Sequence, residues 1–559
     1  MTHISDPPRT TSSGSAVATI DRVFHGRALV GLLLLIGVAL RCRAYFAGTS
    51  LWLDEMLLSR NILELPLGAL LTEPLQLDQV APRGFLLVEK LSVLAFGPTE
   101  LALRLFPFLC GIASLFLFWR LASRVLDRGA AIMALALCAI GVPFVKFGGE
   151  VKQYGVDAAA AILLTLVAIE VRERSASPGR LMAAGALGLL VVWFSQAAVV
   201  VMAGIGLALS VDWLLSRDAN ARRMLLITIP LWALASILGL LAGLRSMTPA
   251  TREFMHDFWA SGFLPWPMTS AVQLRWYWDQ FVSIFADPTV LRYRWPAIFA
   301  LAALFGFVAI WRDSRSRGLI VTAPLVVALI VATLHQYPFR GRLAMYLVPS
   351  VLLALGAAAG WMRSLAGRLH PVAGWSVVAA CLAVPVLTMV KHPPPYEVEH
   401  WRTVLQYLVT HRQTGDSIYV FPLSRVGMQF YGPQFGLQMD DWTTVPCHRE
   451  DTRAYLRDVD RFRGTARLWL VSSGARPYRT ARPAIRGYLE TIGRRTDAMA
   501  LRSFSMTDVT VERFDLSDPA RLTAASAETF PVPAMPTDPR PGCRPWSTPG
   551  ASTDAGLHR

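Results

Sequence analysis

Charge is what this chain has least of. Only 17% of its 559 residues are Asp, Glu, Lys or Arg, and 53% are hydrophobic, where soluble domains carry about 25% charged residues. That shortage excludes a disordered chain and argues against one soluble globular enzyme. Acids are scarcer than bases, 39 Asp and Glu against 54 Lys and Arg, for a net charge of +15. Cysteines number six, and none stands in a CxxC or Cys/His spacing of a structural zinc site. Cys42, Cys110, Cys138 and Cys381 sit in apolar stretches. Cys447 and Cys543 lie far down the chain, where an oxidising compartment leaves a disulfide between them open. The chain has no Walker-type phosphate loop and no internal repeat. No small-residue cleavage site follows the first apolar stretch, so residues 28–46 are expected to remain as an uncleaved first span.

What is there is a series of apolar segments long enough to cross a bilayer. They lie at 28–46, 101–121, 129–145, 155–171, 181–195, 197–215, 224–243, 294–311, 318–334, 342–361 and 372–390, eleven in all. A further stretch, 84–97, is short and carries Glu89 and Lys90. Arginines recur after every second span: Arg120, Arg124 and Arg128, then Arg172, Arg174 and Arg180, then Arg217, Arg222 and Arg223, then Arg312, Arg315 and Arg317, then Arg363 and Arg368. By the positive-inside rule these loops and the tail 1–27 are cytoplasmic. A full crossing at 84–97 would break the parity, so that stretch is read as an outer juxtamembrane or re-entrant helix. Charge spent on orientation also speaks against nucleic acid, which needs one basic face.

The outer side has a different composition. Loop 47–100 is acidic, and loop 244–293 is aromatic, with Phe254, Phe258, Trp259, Trp266, Trp276, Tyr277, Trp278 and Phe281. Helices lying at the membrane surface have this composition. After His392-Pro393-Pro394-Pro395 the composition becomes that of a soluble domain. Residues 398–412 predict an amphipathic helix, 417–421 and 467–472 buried strands, 480–494 a helix, and 498–505 with 508–515 a hairpin. The expected organisation is a cytoplasmic tail at 1–27, a mainly α membrane helix bundle at 28–390, a small outer α/β domain at 391–516, and a disordered Pro/Thr/Ala/Ser-rich end at 517–559.

Four clusters carry chemistry. Leu51-Trp52-Leu53-Asp54-Glu55 places two carboxylates directly after the first span. Carboxylates at a membrane surface are costly unless solvated, paired or used. One could take a proton from an acceptor hydroxyl while the other orients it or holds a metal ion. Equally, Asp54 could be an N-cap for a helix over Met56 to Asn61. Lys146 to Asp157 packs Lys146, Glu150, Lys152, Tyr154 and Asp157 between two spans, and could also be interfacial anchoring. Arg340 and Arg342 stand on an outer loop against the positive-inside trend, and guanidinium suits phosphate. His256, with Glu253 and Asp257, could complete a metal site with Glu55, or simply be solvated.

The ordered motifs resemble those of bacterial GT-C glycosyltransferases, the group that holds protein O-mannosyltransferases and the lipid A aminoarabinose transferases. The likeness lies in Leu51 to Glu55, Gln79-Val80-Ala81-Pro82, Gly97 to Arg104, Glu150 to Asp157 and Tyr337 to Pro349, and spans roughly residues 28 to 390. Where many relatives have Pro-Pro-Leu-Tyr, this chain has Pro82-Arg83-Gly84-Phe85. The resemblance implies an inverting transfer of one sugar from a polyprenyl-phosphate donor, on the outer face of a bacterial cytoplasmic membrane. The acceptor would be an envelope lipid, glycan or protein. It makes Asp54 and Glu55 the catalytic pair, with Lys146, Glu150, Lys152, Tyr154, Asp157, Arg340 and Arg342 around the donor phosphate and sugar. No cofactor is implied for certain, and a divalent metal ion is left open. The rival expectation is a transporter or flippase for a lipid-linked precursor.

Overall fold

A computed structural model describes residues 26–174, 177–287, 290–445, 448, 451–473, 481–501 and 509–532. Among them, nine helices are long and apolar enough to cross a membrane. The pair Arg128–Ile140 and Val142–Gly149, bent by 51°, is long and apolar enough to make a tenth if it is one span. The helix Pro178–Val191 is apolar but shorter. All eleven expected spans therefore fall on helical segments of a multi-pass bundle, with two differences of shape.

The first difference is the break in 129–145. Gly141 leaves the helical conformation and Pro143 cannot donate to the preceding turn, so the ladder is interrupted. The freed carbonyls find a donor in Arg41, which is buried in the first span. Its guanidinium reaches Gly37 O at 2.9 Å, Gly111 O at 3.0 Å, Cys138 O at 3.3 Å and Ala139 O at 3.4 Å. An intramembrane arginine is a functional suspect by default. Here its work is to satisfy backbone that a helix break leaves open.

The second difference is in 181–195, where the helix stops at Val191. The Gly84 N–H donates to Trp193 O at 2.7 Å, and a Cβ at Gly84 would lie 2.7 Å from that same oxygen. The backbone approach requires glycine. This accounts for Gly84 in the altered Pro82-Arg83-Gly84-Phe85 segment. Arg83 in turn donates to Leu70 O and Glu73 O, both at 2.6 Å.

The stretch 84–97 forms the helix Arg83–Phe96. Fourteen residues span about 21 Å, short of a bilayer core of about 30 Å. Its charges are turned inward: Lys90 Nζ donates to Ile62 O at 2.7 Å, ending the helix Leu53–Glu64. Glu89 is fully buried, and burial raises its carboxyl well above the usual range.

The bundle packs through small residues, the general solution when lipid removes the hydrophobic drive between helices. A Cβ on Gly306 would stand 1.8 Å from Ala354 O, and one on Gly356 2.7 Å from Ala130 O. At one end, Arg120, Arg172 and Arg317 pair with Glu170, Asp212 and Glu173 at 2.8, 2.7 and 2.5 Å. Three of the arginine-bearing loops therefore lie at the same end of the bundle.

The C-terminal domain is a mixed sheet of order β2-β1-β3-β5-β4, with β1 Ser417–Val420, β2 Thr443–Thr444, β3 Leu468–Ser473, β4 Arg494–Ala500 and β5 Val509–Asp515. β1 runs parallel to β2 and β3, and β5 antiparallel to β3 and β4. β2 was not expected; two residues carry no readable alternation. β4 begins at Arg494, where the sequence predicts helix: the helix ends at Ile492. Alternate residues face opposite ways. Ile418, Val420, Trp469 and Val471 join Leu405 and Leu408 and continue into Leu51, Met56 and Phe85 of the loop region 47–100. Tyr419, Leu468 and Leu470 pack on Tyr455 and Tyr488. The stretch from 517, expected to be disordered, is ordered at first: Pro519–Leu522 is helical, Ala527 is buried and Phe530 packs on Tyr488. Cys447, Cys543, the tail 1–25 and the end beyond 532 lie outside the described residues.

Substituting Gly306 or Gly356 by Ala should destabilise the bundle by about 1–3 kcal/mol, the cost of overpacking a close backbone contact. Thermal unfolding of the detergent-solubilised variants checks this.

Candidate active site where the bundle meets its loops

The short link after the first span turns into the helix Leu53–Glu64. The N-cap role considered for Asp54 is not what forms. Glu55, at the third helical position, reaches back to the Trp52 N–H at 3.3 Å, closing the first turn as capping boxes do. That leaves Asp54 directed elsewhere.

Asp54 Oδ1 lies 2.9 Å from Lys152 Nζ, and Oδ2 lies 2.6 Å from Arg342 Nη2. Three distant pieces of sequence thus converge on one carboxylate. Burial would raise Asp54, but Lys152 and Arg342 together hold it below the usual carboxylate range. Burial lowers Lys152 below an ordinary lysine, against the pull of Asp54. Lys152 Nζ also donates to Gln79 Oε1 at 2.8 Å, which ties in the Gln79-Val80-Ala81-Pro82 segment. Arg342 Nε donates to Tyr154 Oη at 2.9 Å. Its guanidinium stands over the rings of Trp52, Tyr154 and Trp259 at 5.1, 5.4 and 5.6 Å, within cation–π range.

Glu55 takes a separate part. It is 1% exposed and receives Arg104 through two bonds, Nε to Oε1 at 2.9 Å and Nη2 to Oε2 at 2.7 Å. Oε1 also accepts the Val151 N–H at 2.8 Å. With its oxygens engaged by fixed donors, Glu55 joins the first loop to the second. Arg104 adds Thr49 O at 2.8 Å. Sequence reasoning named the segment up to Arg104 but gave that residue no role. Its signal was a lone arginine inside an apolar span.

Lys146 and Glu150 pair at 2.5 Å. Burial raises the Glu150 carboxyl, with Lys146 opposing. Glu150 Oε2 is buried without a hydrogen-bond partner among the described residues. These two side chains, with Trp52, Glu55, Arg104 and Tyr396, line a narrow polar recess. Four cations, Arg104, Lys146, Lys152 and Arg342, therefore face three carboxylates, Asp54, Glu55 and Glu150.

The remaining expected residues stand apart. Asp157 accepts from Ser195 Oγ at 2.5 Å inside the bundle. Arg340 is exposed and forms no ion pair with a described residue. His256 Nε2 meets His335 Nδ1 at 3.3 Å, and His335 Nε2 donates to Leu264 O at 2.8 Å. The metal set considered from sequence does not assemble: Glu55 is closed by Arg104, His256 turns to His335, and no three His, Cys, Asp or Glu side chains among the described residues converge to hold an ion.

No family model and no curated protein sequence matches the chain. Among solved structures, it is similar to ArnT from Cupriavidus metallidurans bound to undecaprenyl phosphate, at 12% identity over 90% of this chain and 98% of that one, with a TM-score of 0.48. It is similar to the oligosaccharyltransferase of Archaeoglobus fulgidus in the apo form, at 11% identity over 81% and 70% of the two chains, with a TM-score of 0.49. The arabinofuranosyltransferase AftD from Mycobacteria gives 15% identity over 88% and 42%, with a TM-score of 0.37. Identities and scores of this order match no residue of those proteins to one here.

Replacing Arg104 by Met leaves Glu55 buried and unpaired. The loss should be about 3–5 kcal/mol, seen as a large fall in thermal stability in detergent. Replacing Arg120, which is mostly exposed in its pair with Glu170, should leave that stability nearly unchanged.

Proposed function

We propose that this chain is an inverting membrane glycosyltransferase of the GT-C type. It moves one sugar from a polyprenyl-phosphate donor to an acceptor hydroxyl at the outer face of the cytoplasmic membrane. The observation that carries the reading is Asp54, an ionised carboxylate held between Lys152 and Arg342 where an apolar bundle meets polar loops. Each group fits a part of the reaction. The acceptor O–H gives its proton to Asp54 as its oxygen attacks C1 of the sugar. The C1–O bond to phosphate breaks on the opposite side, and one displacement inverts the centre. The electron pair leaves with the polyprenyl phosphate, whose charge Lys152 and Arg342 stabilise. The surplus of one cation in the cluster favours an incoming phosphodiester. As phosphate draws the two cations, Asp54 loses the partners that hold its basicity down, so donor binding prepares the base.

Glu150, whose Oε2 has no hydrogen-bond partner among the described residues, offers the donor sugar an acceptor for a ring hydroxyl, with the Trp52 ring beside it. Tyr154 orients Arg342. Asp157 and Arg340 take supporting places, one in the bundle and one at the solvent edge. A transporter would set its charged groups near mid-membrane; the cluster's place at one end of the bundle supports transfer instead.

Asp54→Asn should abolish transfer with expression and insertion intact, and Lys152→Met should weaken undecaprenyl phosphate binding by about 10-fold or more, the loss of one charge-assisted contact. Comparing envelope glycans of a deletion strain complemented with each form, together with lipid binding to the purified chain, reads both. Wild-type glycans from the Asp54→Asn strain would overturn the reading.

The orientation is tested separately. A reporter fused after residue 400 should read as extracytoplasmic, and a cytoplasmic signal would make Arg83–Phe96 a crossing.

A further inference from the structure

The link that delivers Asp54 to the cations is not held by the bundle alone. Residues 48–52 belong to no helix or strand, so their polar backbone groups must find partners elsewhere. Two amides of the segment, and that of Leu53 at the first position of the next helix, reach the C-terminal domain. Ser50 N–H donates to Glu397 Oε1 at 3.1 Å, Leu51 N–H to Tyr431 Oη at 2.7 Å, and Leu53 N–H to Glu399 Oε2 at 3.1 Å. Arg402 closes the opposite side, with Nη1 on Gly48 O at 2.7 Å and its own N–H on Ser50 Oγ at 3.3 Å.

These acceptors are themselves fixed. Glu399 is 3% exposed, and its Oε2 also accepts the Trp401 indole N–H at 2.7 Å. Tyr431 Oη donates onward to Glu100 Oε1 at 3.2 Å, and Arg402 forms an ion pair with Glu100. Glu100 opens the helix that carries Arg104, so the clamp and the Glu55–Arg104 pair share one support. Burial pushes the Glu399 carboxyl up to about 7, and in either protonation state it keeps a lone pair for Leu53.

We propose that Glu399 and Tyr431 are positioning residues for Asp54, so that the active site is complete only with the C-terminal domain seated on the first outer loop. This rests on the glycosyltransferase reading. The binding cations come from other loops, so the clamp governs transfer and not donor affinity. An error of about 1 Å in a reacting group costs on the order of 100-fold in rate.

The test uses the purified full-length chain and a complemented deletion strain, with Glu399→Ala, Tyr431→Phe, Glu399→Gln and Asp54→Asn. Glu399→Ala and Tyr431→Phe should lower transfer by about 10- to 100-fold while undecaprenyl phosphate binding stays within about twofold. Hydrogen exchange should accelerate at the amides of 50–53 and stay unchanged in β1 and β3. Glu399→Gln keeps an acceptor oxygen and should behave as wild type. Wild-type transfer in both Glu399→Ala and Tyr431→Phe overturns the proposal. So does equal acceleration of exchange through β1 and β3, or a Glu399→Gln form as impaired as Glu399→Ala. Asp54→Asn separates the two readings: if it still transfers, the assigned base fails, while exchange at 50–53 continues to report the clamp.

Discussion

Glu55 and Arg104 make the contact on which the rest of the site depends. Both are buried, where two separate charges would be prohibitive. They are tolerable because the pairing is bidentate and the leftover bonding capacity is used by backbone. Glu55 takes the Val151 N–H and Arg104 takes Thr49 O. One pair thereby ties the exit of the first span, the helix Glu100–Val125 and the loop after the broken span. Asp54 and Lys152 each stand one residue from a group held by this knot, and their meeting follows from it.

The neighbouring carboxylates show how environment divides two similar residues. Glu55 faces inward and is consumed by structure. Asp54, one position earlier on the same helix, turns toward two cations that belong to no fixed pair except its own. A helix places successive residues about 100° apart, so an Asp-Glu pair cannot point both groups the same way. The one free to exchange partners is the one suited to chemistry.

Much of the architecture was legible from composition. Eleven apolar segments, an arginine pattern on alternate loops and a polar remainder are direct consequences of hydrocarbon thickness and membrane charge. The helix over 84–97 was readable too, and its Glu89 and Lys90 turn inward, away from the apolar surface. Less legible were the break at Gly141 and the early stop at Val191. Each depends on a partner far away in sequence, Arg41 in one case and Gly84 in the other. The hydropathy of either stretch carries no trace of that partner.

The same division runs through the site. Sequence by itself determined which residues were expensive: Asp54, Glu55, Lys152 and Arg342 stand out because charge beside a membrane is rare and must be paired or used. Tertiary structure decided which of them face each other, because ion pairing depends on distance and direction, and these residues lie up to 288 positions apart. It alone separated Asp54 from Glu55, removed His256 from any set of three ligands among the described residues, and brought Glu399 and Tyr431 to the backbone of the loop before Leu53. Local sequence sets the cost of a charge, and only the folded chain sets the partner that offsets it.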